Sequence, residues 1–368
     1  MFGTYVIHIL PFMRIFLILF VLVLVSACTK DDAGETECTM GVEIETSKIA
    51  GGSILQVFTL AGNNESRTDI VEKTNINYLA LSPLISLSRN NNGDFKPFTF
   101  PVSAEKFKVR RAVENSIASG INNIMLKPLT SFAAISNSTF WGDFFLDSEE
   151  EWLEMERAYT ELFLEFASLS EEFDEIRMLS VGNELREFAT RRPDFFKGLI
   201  SKLQEQYPDL LLTYSSNWDE YERITFWSDL DYIGVNSYFP LIDKQTPTVD
   251  KISRAFEPIK LNLIDLSCRE QKPVLFTEYG FRSIDLVVSK PFDLGPINRD
   301  KVNLEAQANA YKAFYSTFWD EAWVAGGFYW EWFSEIDINS PAFDSNENGW
   351  YVNGKPAQDI VRDQYSKK

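Results

Sequence analysis

Histidine and cysteine are scarce in this sequence, which has one histidine and three cysteines among 368 residues. His8 lies in a segment that resembles a cleaved targeting signal, so the mature chain is expected to work without imidazole. The cysteines Cys28, Cys38 and Cys268 have no metal-ligand spacing, and one pair cannot be the framework of a fold this large. We expect no metal, no cofactor, and either free thiols or an incidental disulfide; a metal-dependent hydrolase is disfavoured.

Basic residues are also few, because 35 Lys and Arg stand against 54 Asp and Glu, for a formal net charge of -19. Proteins bind nucleic acids through Lys and Arg side chains that neutralise phosphates, so this balance argues against a nucleic-acid partner. The acidic excess also disfavours a polyanionic polysaccharide as a substrate. A neutral ligand fits the composition better.

The apolar run Ile15–Val25 is too short for a membrane-spanning helix, which needs about 20 residues. Arg14 precedes the run, as in a secretory signal. The run ends in Val25-Ser26-Ala27-Cys28, which resembles a bacterial lipobox, so Cys28 is predicted to be the lipidated first residue of the mature chain. Met13 is then a candidate for the true start. An ordinary cleaved signal or an uncleaved anchor is the alternative.

These features predict three segments: a lipoprotein signal over 1–27, an acidic tether over 28–50 and one globular domain over 51–368. The protein is expected to be a cell-envelope lipoprotein, in the periplasm or on the outer-membrane surface. Its only membrane contact would be the lipid on Cys28, and we expect a monomer.

The globular part alternates short runs that are apolar on both faces with longer amphipathic stretches. Such runs are typical of buried parallel strands, and the stretches between them are typical of helices. Eight strands alternating with helices over about 300 residues predict a single (β/α)8 TIM barrel of the α/β class. A doubly wound open sheet is the alternative, disfavoured because no Gly-rich phosphate loop follows the first strand. The predicted strands are Ile54–Phe58, Ile76–Leu81, Asn123–Leu126, Arg177–Val181, Leu210–Tyr214, Tyr232–Val235, Val274–Phe276 and Gly327–Trp330.

Two of these runs end in a glutamate, in Ser180-Val181-Gly182-Asn183-Glu184-Leu185 and in Phe276-Thr277-Glu278-Tyr279-Gly280-Phe281. The strand count places Glu184 after the fourth strand and Glu278 after the seventh, on the rim where barrel enzymes carry their catalytic groups. Two facing carboxyls about 5–5.5 Å apart can cleave a glycosidic bond with retention. Asn183 is predicted to bond a sugar 2-hydroxyl, and Tyr238 to donate to the Glu278 carboxylate.

The surrounding motifs resemble glycoside hydrolase family 113, from about Ile76 to Tyr365. The motifs that carry the resemblance are Gly182-Asn183-Glu184, Thr277-Glu278, Met125-Leu126-Lys127-Pro128, Trp141-Gly142-Asp143, Tyr214-Ser215-Ser216-Asn217-Trp218-Asp219-Glu220-Tyr221, Leu230-Asp231-Tyr232-Ile233-Gly234, Tyr238-Phe239-Pro240, Gly280-Phe281-Arg282-Ser283 and Gly354-Lys355-Pro356-Ala357. The resemblance implies a (β/α)8 barrel with retaining chemistry, mainly endo-β-1,4-mannanase activity, with Glu184 as acid/base and Glu278 as nucleophile. Asn183 stands where many members have Thr, which leaves the exact sugar open.

Further side chains are candidate contacts to a sugar. Aromatic rings stack on the apolar face of a sugar, which suggests Trp330 at the cleavage point; a core tryptophan is the alternative. Trp141 and Trp218 are candidates for neighbouring subsites, with Trp332 able to replace either. Hydroxyl ligands are proposed at Lys127 and Asn217, with an ion pair as the alternative for Lys127. Arg282 is interpreted as orienting the nucleophile or as a structural ion pair.

The sequence therefore predicts a retaining hydrolase of β-1,4-mannan or manno-oligosaccharides. The same machinery acting on another neutral β-glycan, such as glucan, xylan or galactan, is a second hypothesis. A barrel that binds glycan at the cell surface without catalysis is a third, since a fold does not secure a function.

Overall fold

A computed structural model describes residues 41–44, 47–54, 68–86, 102–131, 140–293, 302–333 and 348–367. The predicted signal, Cys28, Cys38 and most of the predicted tether lie outside these residues. In the described ranges the strands are β1 Ile49–Ile54, β2 Tyr78–Leu81, β3 Leu84–Ser86, β4 Ile124–Leu126, β5 Leu129–Ser131, β6 Ile176–Asn183, β7 Leu211–Ser216, β8 Tyr232–Asn236, β9 Val274–Tyr279 and β10 Val324–Tyr329.

Eight of these strands form a closed parallel barrel in the order β1-β10-β9-β8-β7-β6-β4-β2, while β3 and β5 pair separately at one end. The predicted (β/α)8 architecture is confirmed, and the open-sheet alternative is wrong. The helices of the described ranges are α1 Thr68–Thr74, α2 Val102–Ala118, α3 Glu149–Ala167, α4 Arg186–Arg191, α5 Pro193–Gln206, α6 Val249–Glu270, α7 Leu304–Phe314 and α8 Pro356–Tyr365.

The helices cover the barrel with the apolar faces that the sequence indicates. Ser148 caps helix α3, because its hydroxyl accepts a hydrogen bond from the Glu151 amide at 3.2 Å. Pro193 is the first residue of α5, a position where a helix needs no N–H donor. Inside the barrel a separate core cluster takes side chains from six strands, including Met125, Met178 and Phe328. This packing closes the barrel below the rim.

The first strand is the main correction to the predicted elements. It spans Ile49–Ile54 instead of Ile54–Phe58, and residues 55–58 lie outside the described ranges. Gly51 and Gly52 suggest an interruption between secondary-structure elements, yet both glycines lie within the strand. A β-carbon on Gly51 would lie 2.2 Å from the Phe328 ring, so only glycine permits this approach of β1 to β10.

Part of the predicted tether belongs to the barrel body. The Ile44 amide donates to the Ala322 carbonyl at 3.0 Å, and the Val42 amide donates to the Ser267 hydroxyl at 3.0 Å. Cys268 is disulfide-bonded. No helix among the described residues is long and apolar enough to cross a membrane.

Tyr365 of α8 ties strands that are far apart in the sequence. Its hydroxyl donates to the Gly51 carbonyl of β1 at 2.8 Å. The same hydroxyl lies 2.5 Å from the Tyr279 hydroxyl of β9, which in turn lies 3.0 Å from that of Tyr315. The carboxyl-terminal helix thus links the first barrel strand to the seventh.

Candidate active site

Glu184 and Glu278 lie at the carboxyl ends of the fourth and seventh barrel strands, β6 and β9, as the strand count predicts. Each of the two residues is only 6% exposed, so both carboxyls are withdrawn from bulk water. Strands β7 and β8 separate them along the barrel wall. The carboxyls are close enough for Glu278 to raise the pKa of Glu184 by repulsion.

Two donors hold the Glu278 carboxylate. Lys127, which is completely buried, donates its ammonium to Oε1 in an ion pair. Tyr238 donates its hydroxyl to Oε2 at 2.7 Å, so the predicted contact is present. Burial and the nearby carboxylate raise the pKa of Tyr238 well above its usual range, which keeps the hydroxyl a donor. For Lys127 the ion pair is what the structure shows, in place of an exposed ligand for sugar hydroxyls.

The surroundings of Glu184 differ from those of Glu278. Its Oε1 accepts a hydrogen bond from the Asn236 carboxamide at 2.9 Å. Burial, and then the negative charge of Glu278, raise the pKa of Glu184 to about 8. The hydrogen bond from Asn236 and, more weakly, the charge of Lys127 oppose this shift. A protonated Glu184 at neutral pH is the state that a general acid requires.

Asn236 is a site residue that the sequence analysis missed. Its Nδ2 donates to Glu184 at 2.9 Å and to Oδ1 of Asn183 at 3.2 Å, while its Oδ1 accepts from Thr277 at 2.8 Å. It therefore joins the ends of β6 and β9 through β8. The signal was available, because Asn236 is a polar residue ending an apolar strand, which is the rule that identifies Glu184 and Glu278.

The backbone of Glu184 adopts a left-handed conformation, with φ at +53°. Such a conformation costs a non-glycine residue about 1–3 kcal/mol and persists only where surrounding contacts hold it. The Glu184 amide donates to the Ser215 carbonyl at 2.8 Å, and the Leu185 amide donates to the Tyr214 hydroxyl at 2.8 Å. A β-carbon on Gly142 would lie 2.0 Å from the Glu184 carbonyl oxygen, so this position must be glycine.

Ion pairs hold the segment after Glu184. Arg186 donates to both carboxylate oxygens of Asp143, at 2.7 and 2.6 Å, and also pairs with Asp219. This bidentate contact joins the loop before α3 to the start of α4, and its geometry is the strong one for Arg and carboxylate. The motifs Trp141-Gly142-Asp143 and Tyr214–Tyr221 thus act together around one catalytic candidate.

A third carboxyl, Glu331, borders the site after β10. Burial, and then the negative charge of Glu278, raise the pKa of Glu331 to about 7, while Lys127 lowers it. Its neighbour Trp330 is partly exposed, and the Lys127 ammonium lies 5.1 Å from the Trp330 ring. Trp330 therefore lies beside Glu278, where a platform for the reacting sugar is needed. The Trp330–Glu331 peptide bond is cis. Sequence reasoning missed Glu331, although it too follows an apolar strand.

The other predicted contacts divide into open and structural positions. Trp141 is 37% exposed, and Trp218 is half-buried with its ring stacked on Phe292 at 5.5 Å. Both remain available to a ligand. Asn217 uses its Oδ1 to accept from the Trp218 amide at 2.8 Å, so this oxygen serves the local turn. Trp332 is only 2% exposed and packs in the core, which excludes it as a surface platform.

Arg282 does not contact Glu278 in the described residues. Its guanidinium donates to the main-chain carbonyls of Asn348 and Asp293, at 3.1 and 3.2 Å, and lies 5.1 Å from the Trp350 ring. The interpretation that Arg282 orients the nucleophile is replaced by a role in joining two loops above β9. A short sequence distance from Glu278 was a poor guide, because the chain turns away after Gly280.

The described residues hold no group of three or more His, Cys, Asp or Glu side chains arranged to bind a metal ion. The chemistry available from these side chains is proton transfer and nucleophilic attack by carboxylates.

The sequence model of Glycoside Hydrolase Family 113 matches residues 58–355. The chain belongs to this family. The resemblance seen in the motifs is thereby confirmed at the level of family 113.

Solved structures share this family 113 fold. A GH113 β-1,4-mannanase has a TM-score of 0.68 at 20% identity, with 88% of this chain and 100% of that chain covered. The GH113 β-mannanase AaManA from Alicyclobacillus acidocaldarius, in complex with ManMIm, has a TM-score of 0.70 at 23% identity, covering 88% and 98%. The Faecalibacterium prausnitzii β-glucuronidase has a TM-score of 0.56 at 15% identity, covering 89% and 51%. No curated protein matches this chain by sequence.

Proposed function

We propose that this chain is a retaining glycoside hydrolase that cleaves β-1,4-mannan or manno-oligosaccharides. One observation carries the proposal: two buried glutamates on the fourth and seventh strands of a family 113 barrel have opposite surroundings. Glu278 receives an ammonium and a phenol hydroxyl, whereas Glu184 receives one amide and faces a negative charge. This is the division of roles that double displacement needs.

In the first step Glu184 gives its proton to the glycosidic oxygen, and the bond from that oxygen to the anomeric carbon breaks. A carboxylate oxygen of Glu278 forms a bond to the anomeric carbon from the opposite face. In the second step the deprotonated Glu184 takes a proton from water. The water oxygen then bonds to the anomeric carbon, and Glu278 leaves as a carboxylate, so the β configuration is restored.

The charge of the site supports a neutral substrate. Glu184, Glu278 and Glu331 surround one cation, Lys127, and that cation is already paired with Glu278. An anionic sugar bound beside Glu278 would also lie close to Glu184 and Glu331. Each of these carboxyls would repel the sugar once it is ionised. The β-glucuronidases with the same fold are therefore a weaker guide to the substrate than the GH113 mannanases.

Product analysis tests this proposal. Manno-oligosaccharides should be cleaved with the β anomer formed first, as followed by proton NMR within minutes of mixing. A panel of mannan, glucan, xylan and galactan should show the fastest release of reducing ends from mannan. An initial α product contradicts the retaining mechanism, and faster hydrolysis of another polymer replaces mannan by that glycan. Asn183 is the side chain that we expect to decide which sugar the site accepts.

The cellular setting is a separate proposal, supported by the sequence alone. Cys28 is proposed to carry the lipid that anchors a monomer in the cell envelope, in the periplasm or on the outer-membrane surface. Metabolic labelling with an alkyne fatty acid should mark the wild type but not Cys28→Ala. Equal labelling of both proteins contradicts the lipid anchor. Gel filtration of the chain without its predicted signal should give the mass of a monomer, and a larger mass contradicts that part of the proposal.

A further inference from the structure

Glu220 is a buried carboxyl that the proposed reaction does not use. Its side chain is completely buried on the loop that follows β7. Oε1 accepts from the Tyr214 hydroxyl at 2.9 Å, and Oε2 has no hydrogen-bond partner among the described residues. A carboxyl in such a place is unfavourable for folding, and a neutral acceptor would satisfy Tyr214 equally well. The site therefore calls for another reason to hold an acid.

The hydrogen bonds lead from Glu220 to the proposed acid/base. Tyr214 donates to Glu220, and the oxygen of the same hydroxyl accepts from the Leu185 amide at 2.8 Å. Leu185 directly follows Glu184, the residue with φ at +53°. A chain of two hydrogen bonds thus runs from the Glu220 carboxyl to the strained main chain that aims the Glu184 carboxyl into the cleft.

Charge acts along the same path. Glu184 is faced by Glu278 and Glu220, which raise its pKa, and by Lys127, which lowers it. Burial raises the pKa of Glu220 itself to about 8; Tyr214 and Arg186 oppose that shift, and Asp219 adds to it. Glu184 and Glu220 therefore titrate in the same range, and ionisation of one disfavours ionisation of the other.

We propose that Glu220 and Tyr214 form a positioning pair that fixes the backbone of Glu184 and, through the ionisable Glu220, acts on its carboxyl. This inference rests on the proposed function, because it assigns the acid role to Glu184. It gives Glu220 a task that the catalytic carboxyls do not perform. Glu220 lies out of reach of the sugar and extends the pH range in which Glu184 keeps its proton.

The variant Glu220→Gln tests the charge while keeping an acceptor for Tyr214. Removing the charge should move the alkaline limb of kcat/KM to lower pH by about half a unit, which lowers activity at pH 8 about twofold. Tyr214→Phe should lower kcat with little change in KM, because the Leu185 amide loses its acceptor. Tyr159→Phe is the matched control: its buried hydroxyl donates to the Val181 carbonyl of β6 at 2.9 Å, away from Glu184. It should lower stability without moving the pH profile.

A second readout does not depend on turnover. Carbon-13 NMR of labelled glutamate, assigned with Glu184→Gln, should show the Glu184 carboxyl titrating at lower pH in Glu220→Gln than in the wild type. If Tyr214→Phe does not fold, Glu220→Gln decides alone. An unchanged pH profile together with unchanged Glu184 titration overturns the inference. If the wild type hydrolyses no glycan, the proposed function fails, yet the NMR titration still decides whether Glu220 acts on Glu184.

Discussion

The two sides of the barrel rim use the same residue type in opposite ways. On the β9 side, Glu278 is held by Lys127 and Tyr238, so a cation and a hydroxyl stabilise the carboxylate. On the β6 side, burial and then the charges of Glu278 and Glu220 raise the pKa of Glu184 to about 8, while the hydrogen bond from Asn236 lowers it. The difference teaches that the role of a glutamate is set by neighbours at and just beyond the ends of β4, β7 and β8, and not by the strand that carries it.

The strongest way to break this comparison is to remove the residue that bonds the sugar. Glu278→Ala should fold and lose mannan hydrolysis by at least about 10³-fold, because no other carboxylate can attack the anomeric carbon. Adding azide should restore turnover and give the α-glycosyl azide, detected by NMR. Hydrolysis near the wild-type rate would remove Glu278 from the proposed mechanism.

Separating Lys127 from Glu278 should damage both activity and stability. Lys127→Met leaves a buried carboxylate without its cation, which we expect to lower the free energy of unfolding by about 3 kcal/mol at pH 7. Urea denaturation measures this change. The double variant Lys127→Met with Glu278→Gln should recover part of the loss, because the unpaired charge is gone. No recovery would indicate that Lys127 stabilises the barrel by packing alone.

Replacing Glu184 by a neutral residue should stabilise the protein and remove the proton donor of the proposed reaction. The folded pKa of about 8 lies above the ordinary value of 4.5, so the folded chain binds this proton more tightly than the unfolded chain. The associated stability is complete below about pH 4.5 and is lost as the pH rises through 8. Glu184→Gln should therefore exceed the wild type by about 4 kcal/mol at pH 8, and by less than about 1 kcal/mol at pH 5.

Thermal unfolding across pH 5 to 8 measures this difference, with the exposed Glu222→Gln as a control that should follow the wild type. A wild-type melting temperature that rises from pH 5 to pH 8 relative to Glu184→Gln would contradict a raised Glu184 pKa. Glu184→Gln is thus expected to lose activity and gain stability. Lys127→Met is expected to lose both, so the two variants together sharpen the comparison.

The smallest effect is expected at Glu331, which lies on the Glu278 side of the rim. Glu331→Gln removes a carboxyl that titrates near pH 7, so kcat/KM should change by less than about tenfold and mainly between pH 6 and 8. Stopped assays over this range measure the change. A loss as large as that of Glu278→Ala would give Glu331 a direct part in the chemistry.

The barrel and its catalytic candidates could be predicted because short-range patterns specify them. Apolar runs gave seven strands close to their observed positions, and polar residues at the ends of those runs marked Glu184 and Glu278. The first strand was displaced because Gly51 suggests a break, whereas the ring of Phe328 from a strand distant in the sequence requires glycine there.

The rest of the site depends on contacts between distant segments. The sequence does not tell that Lys127 pairs with Glu278, that Asn236 bridges two strands, or that Arg282 turns away to loop carbonyls. Each of these contacts joins residues that only the closed barrel and its loops bring together. Spacing along the chain carries no such information.

The contact of Tyr365 with β1 and β9 has a consequence for synthesis on the ribosome. The strand that carries Glu278 is tied through Tyr279 to Tyr365, and β1 pairs with β10. The pairing of β1 with β10 requires the chain through Tyr329, and the two contacts of the Tyr365 hydroxyl require it through Tyr365. Closure of the barrel is therefore a late event in biogenesis, and a nascent chain released before Tyr365 would lack the tie between its first and seventh barrel strands.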